Sequence, residues 1–219
     1  MKIKRNVILL SCLALLAILQ THAADRLYIR NLCIMPGQTR TVTVQLLNEL
    51  EYTAFQTDIR LAEGLSIAMN GDELAIDLSS RASSGHQISS LLRDDGSIRV
   101  VAYSFDVKPF SGTSGPVFTF AVTATEDFVE TSAITVGNTL FTTVDGEEVS
   151  LPDEYCLVVN GSPGDVNRDG TVNIADINML VNIILGANAT PEILTLADVN
   201  GDGDVTISDI NTMINMILA

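Results

Sequence analysis

Two stretches of this 219-residue chain carry residue types whose spacing can do chemistry. Asp165–Asp176 reads Asp-Val-Asn-Arg-Asp-Gly-Thr-Val-Asn-Ile-Ala-Asp, and Asp198–Asp209 reads Asp-Val-Asn-Gly-Asp-Gly-Asp-Val-Thr-Ile-Ser-Asp, 33 residues later. Each places oxygen-bearing side chains at positions 1, 3, 5 and 12 and glycine at position 6, the pattern of a twelve-residue calcium loop. Calcium takes about six to eight hard oxygen ligands at roughly 2.3–2.6 Å, and a tightly wound loop can aim alternate side chains at one centre. In the first copy the donors would be Asp165, Asn167, Asp169, the carbonyl of Thr171, Asn173 directly or through water, and Asp176. In the second they would be Asp198, Asn200, Asp202, the carbonyl of Asp204, Thr206 and Asp209. Gly170 and Gly203 would supply a backbone conformation that other residues resist. Asx-rich turns that merely cap helices would explain one Asp-Gly, but not four aligned oxygens plus glycine, twice.

The repeat extends past the loops. Gly164–Gly186 and Ala197–Ala219 are identical at 13 of 23 positions. Ile177, Leu180, Ile184 and Leu185 fall at helical spacing, as do Ile210, Met213, Ile217 and Leu218, so a short helix is expected after each loop. No helix is expected before the first, because Asn160-Gly-Ser-Pro-Gly164 breaks one. Ala187–Leu196 joins the repeats, with Pro191 able to begin a turn of helix. Aspartate at position 12 is one methylene shorter than the usual EF-hand glutamate and needs a slightly tighter loop.

Two loop-then-helix units with aspartate at position 12 resemble a type I dockerin, and Gly164-Asp-Val-Asn-Arg-Asp-Gly-Thr-Val-Asn-Ile-Ala-Asp-Ile-Asn-Met-Leu180 is close to that family's motif. The resemblance covers about 56 residues and implies a module folded on two calcium ions that binds a cohesin domain, typically attaching proteins to a polysaccharide-degrading assembly. It also implies that loop positions 10 and 11 and the following helix carry partner recognition. These are Ile174, Ala175, Asn178 and Asn182, repeated as Ile207, Ser208, Asn211 and Asn215. A spacing of four puts each isoleucine and its two asparagines on one stripe; solvated asparagines with core isoleucines are the competing reading. Many dockerins carry Ser or Thr at positions 10 and 11 and Lys or Arg at 17 and 18. Isoleucine at 10, Val181 or Ile214 at 17 and asparagine at 18 make this face more apolar. Its expected partner is the chain's own N-terminal domain, another copy, or a separate cohesin-like domain.

The preceding residues read as mostly β. Thr41–Leu46 places Val42, Val44 and Leu46 on one face, and Phe55–Leu61 places Phe55, Ile59 and Leu61 together. Further strands are expected at Leu27–Cys33, Ile98–Ser104, Val117–Thr125, Ala133–Val136 and Tyr155–Val159. Pro36-Gly37, Asn70-Gly71, Asp95-Gly96, Ser111-Gly112, Gly115-Pro116 and Asp145-Gly146 mark turns. Ser83–Leu92 reads as a loop or short helix over one sheet edge. Seven to nine strands in about 135 residues make a jelly-roll β-sandwich over residues 24–160, with a small α module over 161–219. The order of Pro36-Gly-Gln-Thr39 before Val42-Thr-Val44, then Phe55-Gln-Thr-Asp58 before Gly64-Leu-Ser-Ile67, then Gly115–Thr123, resembles the cohesin fold, an architecture shared with carbohydrate-binding modules. Asn160–Gly164 is a break too short to let the module swing freely.

Residues 1–23 read as a secretory signal: Lys2, Lys4 and Arg5, then apolar Val7–Leu19, then Thr21-His22-Ala23. The apolar run is too short to favour a membrane anchor. Leu9-Leu10-Ser11-Cys12 faintly resembles a lipoprotein cleavage site, though few apolar residues precede Cys12. Loss of the leader takes 12 basic residues to 9 against 27 acidic, a net charge of −18. That surface repels nucleic acid and suits a secreted or cell-surface protein. Cys33 and Cys156 would remain; in an oxidising compartment they can pair, and two buried free thiols are the alternative.

No catalytic constellation is legible. Only His86 would remain after processing, with no convincing Ser-His-Asp order and no His/Cys cluster for zinc. The acidic pairs Asp72-Glu73, Asp94-Asp95 and Glu147-Glu148 read as solvated turn tips rather than glycosidase carboxylates. With no tryptophan, sugar binding would fall to Tyr52 or Tyr103 as stacking platforms, each of which also reads as an ordinary strand residue.

Overall fold

The computed structural model describes residues 25–129 and 131–219. The expected leader, with the lipoprotein-like stretch at Cys12, lies outside these. The strands are β1 (Arg26–Ile29), β2 (Leu32–Ile34), β3 (Thr39–Leu47), β4 (Tyr52–Arg60), β5 (Leu65–Ile67), β6 (Met69–Asn70), β7 (Glu73–Leu74), β8 (Ile76–Leu78), β9 (His86–Leu92), β10 (Ile98–Ser104), β11 (Ser114–Ala124), β12 (Ser132–Thr143), β13 (Glu148–Ser150) and β14 (Glu154–Asn160). Three helices follow: α1 (Ile174–Ile184), α2 (Pro191–Ala197) and α3 (Ile207–Leu218).

The strands form a two-sheet sandwich. One sheet runs β1-β3-β11-β5, with β8 also on β11; the other runs β2-β14-β12-β4-β10-β9, with β13 on β12. Alternation decides which side chains fill the space between them. Val42, Val44 and Leu46 of β3 are buried, as are Phe55 and Ile59 of β4, with Leu61 packed against them. At the Pro36-Gly37 turn, Gln38 N–H donates to Met35 O at 3.0 Å and Gly37 takes φ 72°, which glycine adopts without a Cβ penalty.

Two strand expectations need correction. Ser83–Leu92 is not a loop or helix from His86 onward: β9 pairs with β10 along its whole length, from His86↔Ser104 to Leu92↔Ile98. Its serines blur the apolar alternation, and only the ladder to β10 makes it a strand. Leu27–Cys33 is not one strand. It breaks at Arg30-Asn31, so that β1 joins β3 while β2 joins β14 in parallel. Asn31 Oδ1 accepts the Leu157 N–H at 2.9 Å, occupying the corner where the chain changes sheets.

The bridge considered between Cys33 and Cys156 is not formed. Cys33 stands opposite Val159, three residues along β14 from Cys156. The two belong to different apolar clusters, Cys156 inside the sandwich and Cys33 beneath α2. Burial pushes both thiols up to about 12, so they sit as protonated, inert groups.

Candidate metal loops and interaction face

The two acidic loops adopt the same winding. Asp165 accepts from the N–H of Asp169 and of Gly170, both at 3.1 Å. Asp198 does the same with Asp202 at 3.0 Å and Gly203 at 2.9 Å. From the far end, Asp176 accepts from the N–H of Asn167 at 3.0 Å and of Asn173 at 2.9 Å. Asp209 accepts from Asn200 at 3.1 Å and Thr206 at 2.8 Å. Positions 1 and 12 therefore grip the same turn of backbone from opposite sides. Asn167 and Asn200 each close an Asx turn onto position 5, at 2.8 Å in both loops.

Each loop is also the cap of its helix. Asn173 caps α1 and Thr206 caps α3, and in both the aspartate three residues on returns a bond to the cap N–H. This is a capping box with Asp in place of the usual Glu or Gln. Position 12 thus starts the helix and faces the loop at once, which explains why a short carboxylate serves there. Asp176 and Asp209 are fully buried.

The donor set fits calcium by type and spacing. All the side chains offer oxygen, and each carboxylate oxygen of Asp165, Asp176, Asp198 and Asp209 has two lone pairs, of which one N–H occupies one. Among the described residues no three His, Cys, Asp or Glu side chains alone form a metal cluster. A calcium ion would therefore have to lean on Asn167, Asn173, Asn200, Thr206 and the Thr171 and Asp204 carbonyls as well as on carboxylates. In the second loop, burial raises the Asp198 pKa, and the charges of Asp209 and Asp202 add to that rise. Asp169 and Asp202 are lowered instead by hydrogen bonds from their own loops.

All eight residues of the two stripes are exposed: Ile174, Ala175, Asn178 and Asn182, and Ile207, Ser208, Asn211 and Asn215. Ile174 is 66% and Ile207 71% exposed, so neither is a core residue. The stripes are not docked on the chain's own sandwich. The repeats differ at position 11, where Asn200 Nδ2 donates to Ser208 Oγ at 3.1 Å and Ala175 offers no such group. Helical spacing overstates the core of these helices. Leu180 and Met213 are buried and Ile177 and Ile210 partly so, but Leu185 and Leu218 are 79% and 80% exposed. This repeated Leu pair extends the apolar character of the face, and its signal was the repeat itself. The module instead meets the sandwich through α2, which the sequence showed only as a turn beginning at Pro191.

Tyr52 is not a sugar platform: it is buried in β4, and its hydroxyl donates to Asp25. Tyr103 is half-buried, with the exposed Phe105 edge-on to it at 5.0 Å. His86 is packed on Phe110 at 4.3 Å with Nδ1 accepting the Ser83 N–H. No helix among the described residues is long and apolar enough to cross a membrane.

A β-sandwich followed by a pair of loop–helix repeats is a two-part architecture, and comparison finds a likeness for each part. Residues 163–218 match the family model of the dockerin type I domain. The sandwich is cohesin-like. It is similar to the sixth cohesin of scaffoldin B from Acetivibrio cellulolyticus, solved in complex with a Cel5 dockerin, at 16% identity and TM-score 0.51, over 63% of this chain and 99% of that one. It is also similar to the cohesin module of a family 33 glycoside hydrolase from Clostridium perfringens, at 13% identity and TM-score 0.52, over 63% and 96%. A third similar structure is CaCohA2 from Clostridium acetobutylicum, at 12% identity and TM-score 0.51, over 62% and 90%. A comparison with curated proteins gives no match. Dockerin type I domains generally bind calcium.

Proposed function

We propose that this chain is a secreted, non-catalytic protein that associates with a cohesin-type partner in a calcium-dependent way, within an extracellular polysaccharide-processing system. Two calcium ions fold the module over residues 161–219. The first is held by Asp165, Asn167, Asp169, Thr171, Asn173 and Asp176, the second by Asp198, Asn200, Asp202, Asp204, Thr206 and Asp209. The ions offset clustered carboxylates that otherwise oppose the loop fold. The folded module presents Ile174, Ala175, Asn178 and Asn182, or Ile207, Ser208, Asn211 and Asn215. The partner is a separate cohesin-like domain or the sandwich of another copy.

The single observation that carries this reading is the exposure of the same isoleucine–asparagine stripe in both repeats. An apolar residue kept in solvent twice, at matching positions, fits a surface that is covered by a partner. The test is titration of the full-length protein against cohesin-type domains, itself included, in calcium and in chelator. Binding in calcium that disappears on chelation, and on pairing Ile174→Asp with Ile207→Asp, is expected. Binding indifferent to both would sink the proposal. A carbohydrate-binding reading has one observation in its favour, the exposed Phe105 beside Tyr103. A glycan array in which Phe105→Ala abolishes a signal would establish it.

A further inference from the structure

The contact between module and sandwich is built around the second loop. α2 ends at Ala197, and its C-cap is Asp198, the first oxygen donor of that loop. One and two residues upstream, Ala197 is buried and Leu196 lies in a cluster with Cys33 of β2 and Val159 of β14, flanked by Leu157 and Ile193. The Thr195 carbonyl accepts from Cys33 Sγ at 3.4 Å, and the Leu196 carbonyl accepts from Gly164 N–H at 2.8 Å. A Cβ on Gly161 would stand 2.8 Å from Leu196 Cδ2, so the chain leaving β14 passes close under this leucine.

The arginines add a second link. Arg30 Nη1, from the β1–β2 corner of the sandwich, donates to Gly201 O at 3.1 Å. Its Nε would lie 3.4 Å from a Cβ on Gly203. These are positions 4 and 6 of the second loop. The first loop carries its own arginine at position 4, Arg168, which reaches the other way: Nη2 donates to Asn160 O at 3.1 Å. A guanidinium thus crosses at position 4 of each loop, and only in the second does the sandwich supply it. Sequence numbering hides this, since Arg30 and Gly201 lie 171 residues apart.

We propose that the sandwich is part of the second metal site: calcium in the Asp198–Asp209 loop and the seating of α2 on β2 and β14 are one coupled event, with Arg30 as the sandwich's positioning residue. The ion locks the module to the sandwich, and its loss lifts α2 and uncovers Cys33. This rests on the calcium reading above. The physical link is short. The residues that hold α2 down are covalently adjacent to the first donor, and the carboxylates of Asp198, Asp202 and Asp209 repel when no cation stands among them. Coupling of this kind is reciprocal, so loosening the seat must weaken the ion as much as losing the ion loosens the seat.

Cys33 reports the event and Cys156 is its control. Cys33 is covered by α2, whereas Cys156 lies in the sandwich core. The full-length protein is treated with a maleimide in calcium and in chelator, and each thiol is followed by peptide mapping. In calcium both stay unmodified. In chelator Cys33 labelling rises by about tenfold or more, as local opening predicts, while Cys156 stays protected. Equal protection of Cys33 under both conditions overturns the proposal, and so does joint exposure of both thiols. Calorimetry on the same sample separates the two levels: no calcium uptake sinks the functional reading and this one with it, whereas uptake without a Cys33 response sinks the coupling alone. Arg30→Ala, on an exposed corner, is expected to weaken one of the two sites about fivefold and to raise Cys33 labelling at intermediate calcium, with Arg30→Lys recovering part of the loss. An unchanged isotherm overturns the role of Arg30.

Discussion

The sandwich and the module reach order by different means. Among the described residues, the sandwich core gathers 25 buried apolar side chains, from Leu27 to Val158. The module's own core gathers four: Val166, Leu180, Ala197 and Met213. A unit of this size with so small a core does not bury enough apolar surface to offset the entropy of ordering its chain. Its loops are instead held by carboxylates turned inward on backbone N–H groups. In the second loop the charges of Asp202 and Asp209 also press on Asp198, which a cation there would relieve. On the proposed calcium reading, the difference makes the module's fold conditional on its ligand and the sandwich's not.

The strongest way to break this comparison is to remove the calcium. Each loop occupied at a thousandfold excess over its dissociation constant contributes about 4 kcal/mol to the module. Chelation should therefore abolish a module transition in scanning calorimetry while a sandwich transition survives. If one transition covers the whole chain and moves as a unit, the two regions do not differ as argued.

The converse change acts on the sandwich. Phe55 is buried against Phe110, Phe118 and Phe141, with ring centroids 5.6, 5.5 and 5.3 Å away. Phe55→Ala removes the middle of this aromatic cluster and should cost about 3–5 kcal/mol. Urea melts should show the same loss in calcium and in chelator, with calcium affinity unchanged. A loss that depends on calcium would mean that the sandwich, too, is conditional on the ion.

The same contrast decides what could be read from the sequence. The module is specified by oxygen atoms at fixed spacing, so twelve residues suffice to announce it, and the repeat announces it twice. The sandwich is specified by alternation, which survives in Val42-Thr-Val44-Gln-Leu46 but is diluted in His86–Leu92, where Ser89 and Ser90 stand side by side and put a serine on each face. The split of Leu27–Cys33 between two sheets leaves only one trace in periodicity, Asn31 in phase with Leu27, Ile29 and Cys33, because both halves are otherwise apolar on that face. Exposure of Ile174 and Ile207 is equally hidden, since a helical pattern counts apolar residues without knowing which side has a neighbour. What no local pattern can show is α2 settling over Cys33, a contact between residues 162 apart.

A smaller effect sharpens the comparison through pH. His86 is buried at the start of β9, its Nδ1 accepting the Ser83 N–H at 3.0 Å and its Nε2 without a hydrogen-bond partner. Burial pushes its pKa below the ordinary 6.5, and the charge of Lys108 adds to the lowering. The unfolded chain therefore takes up a proton near pH 6.5 that the folded sandwich refuses. Below that pH the unfolded state binds more protons, so stability rises with pH there. The stabilisation is whole above pH 6.5 and is lost as pH falls toward the folded pKa. Asp58 does not contribute in this window, because the hydrogen bond from Arg99 holds its pKa below 3.8. Urea melts of the sandwich transition at pH 7 and pH 5.5, in saturating calcium, should show the drop, and His86→Leu should flatten it. A slope that persists in His86→Leu would have to come from the module's carboxylates acting through α2, and the sandwich would then share the module's dependence on charge.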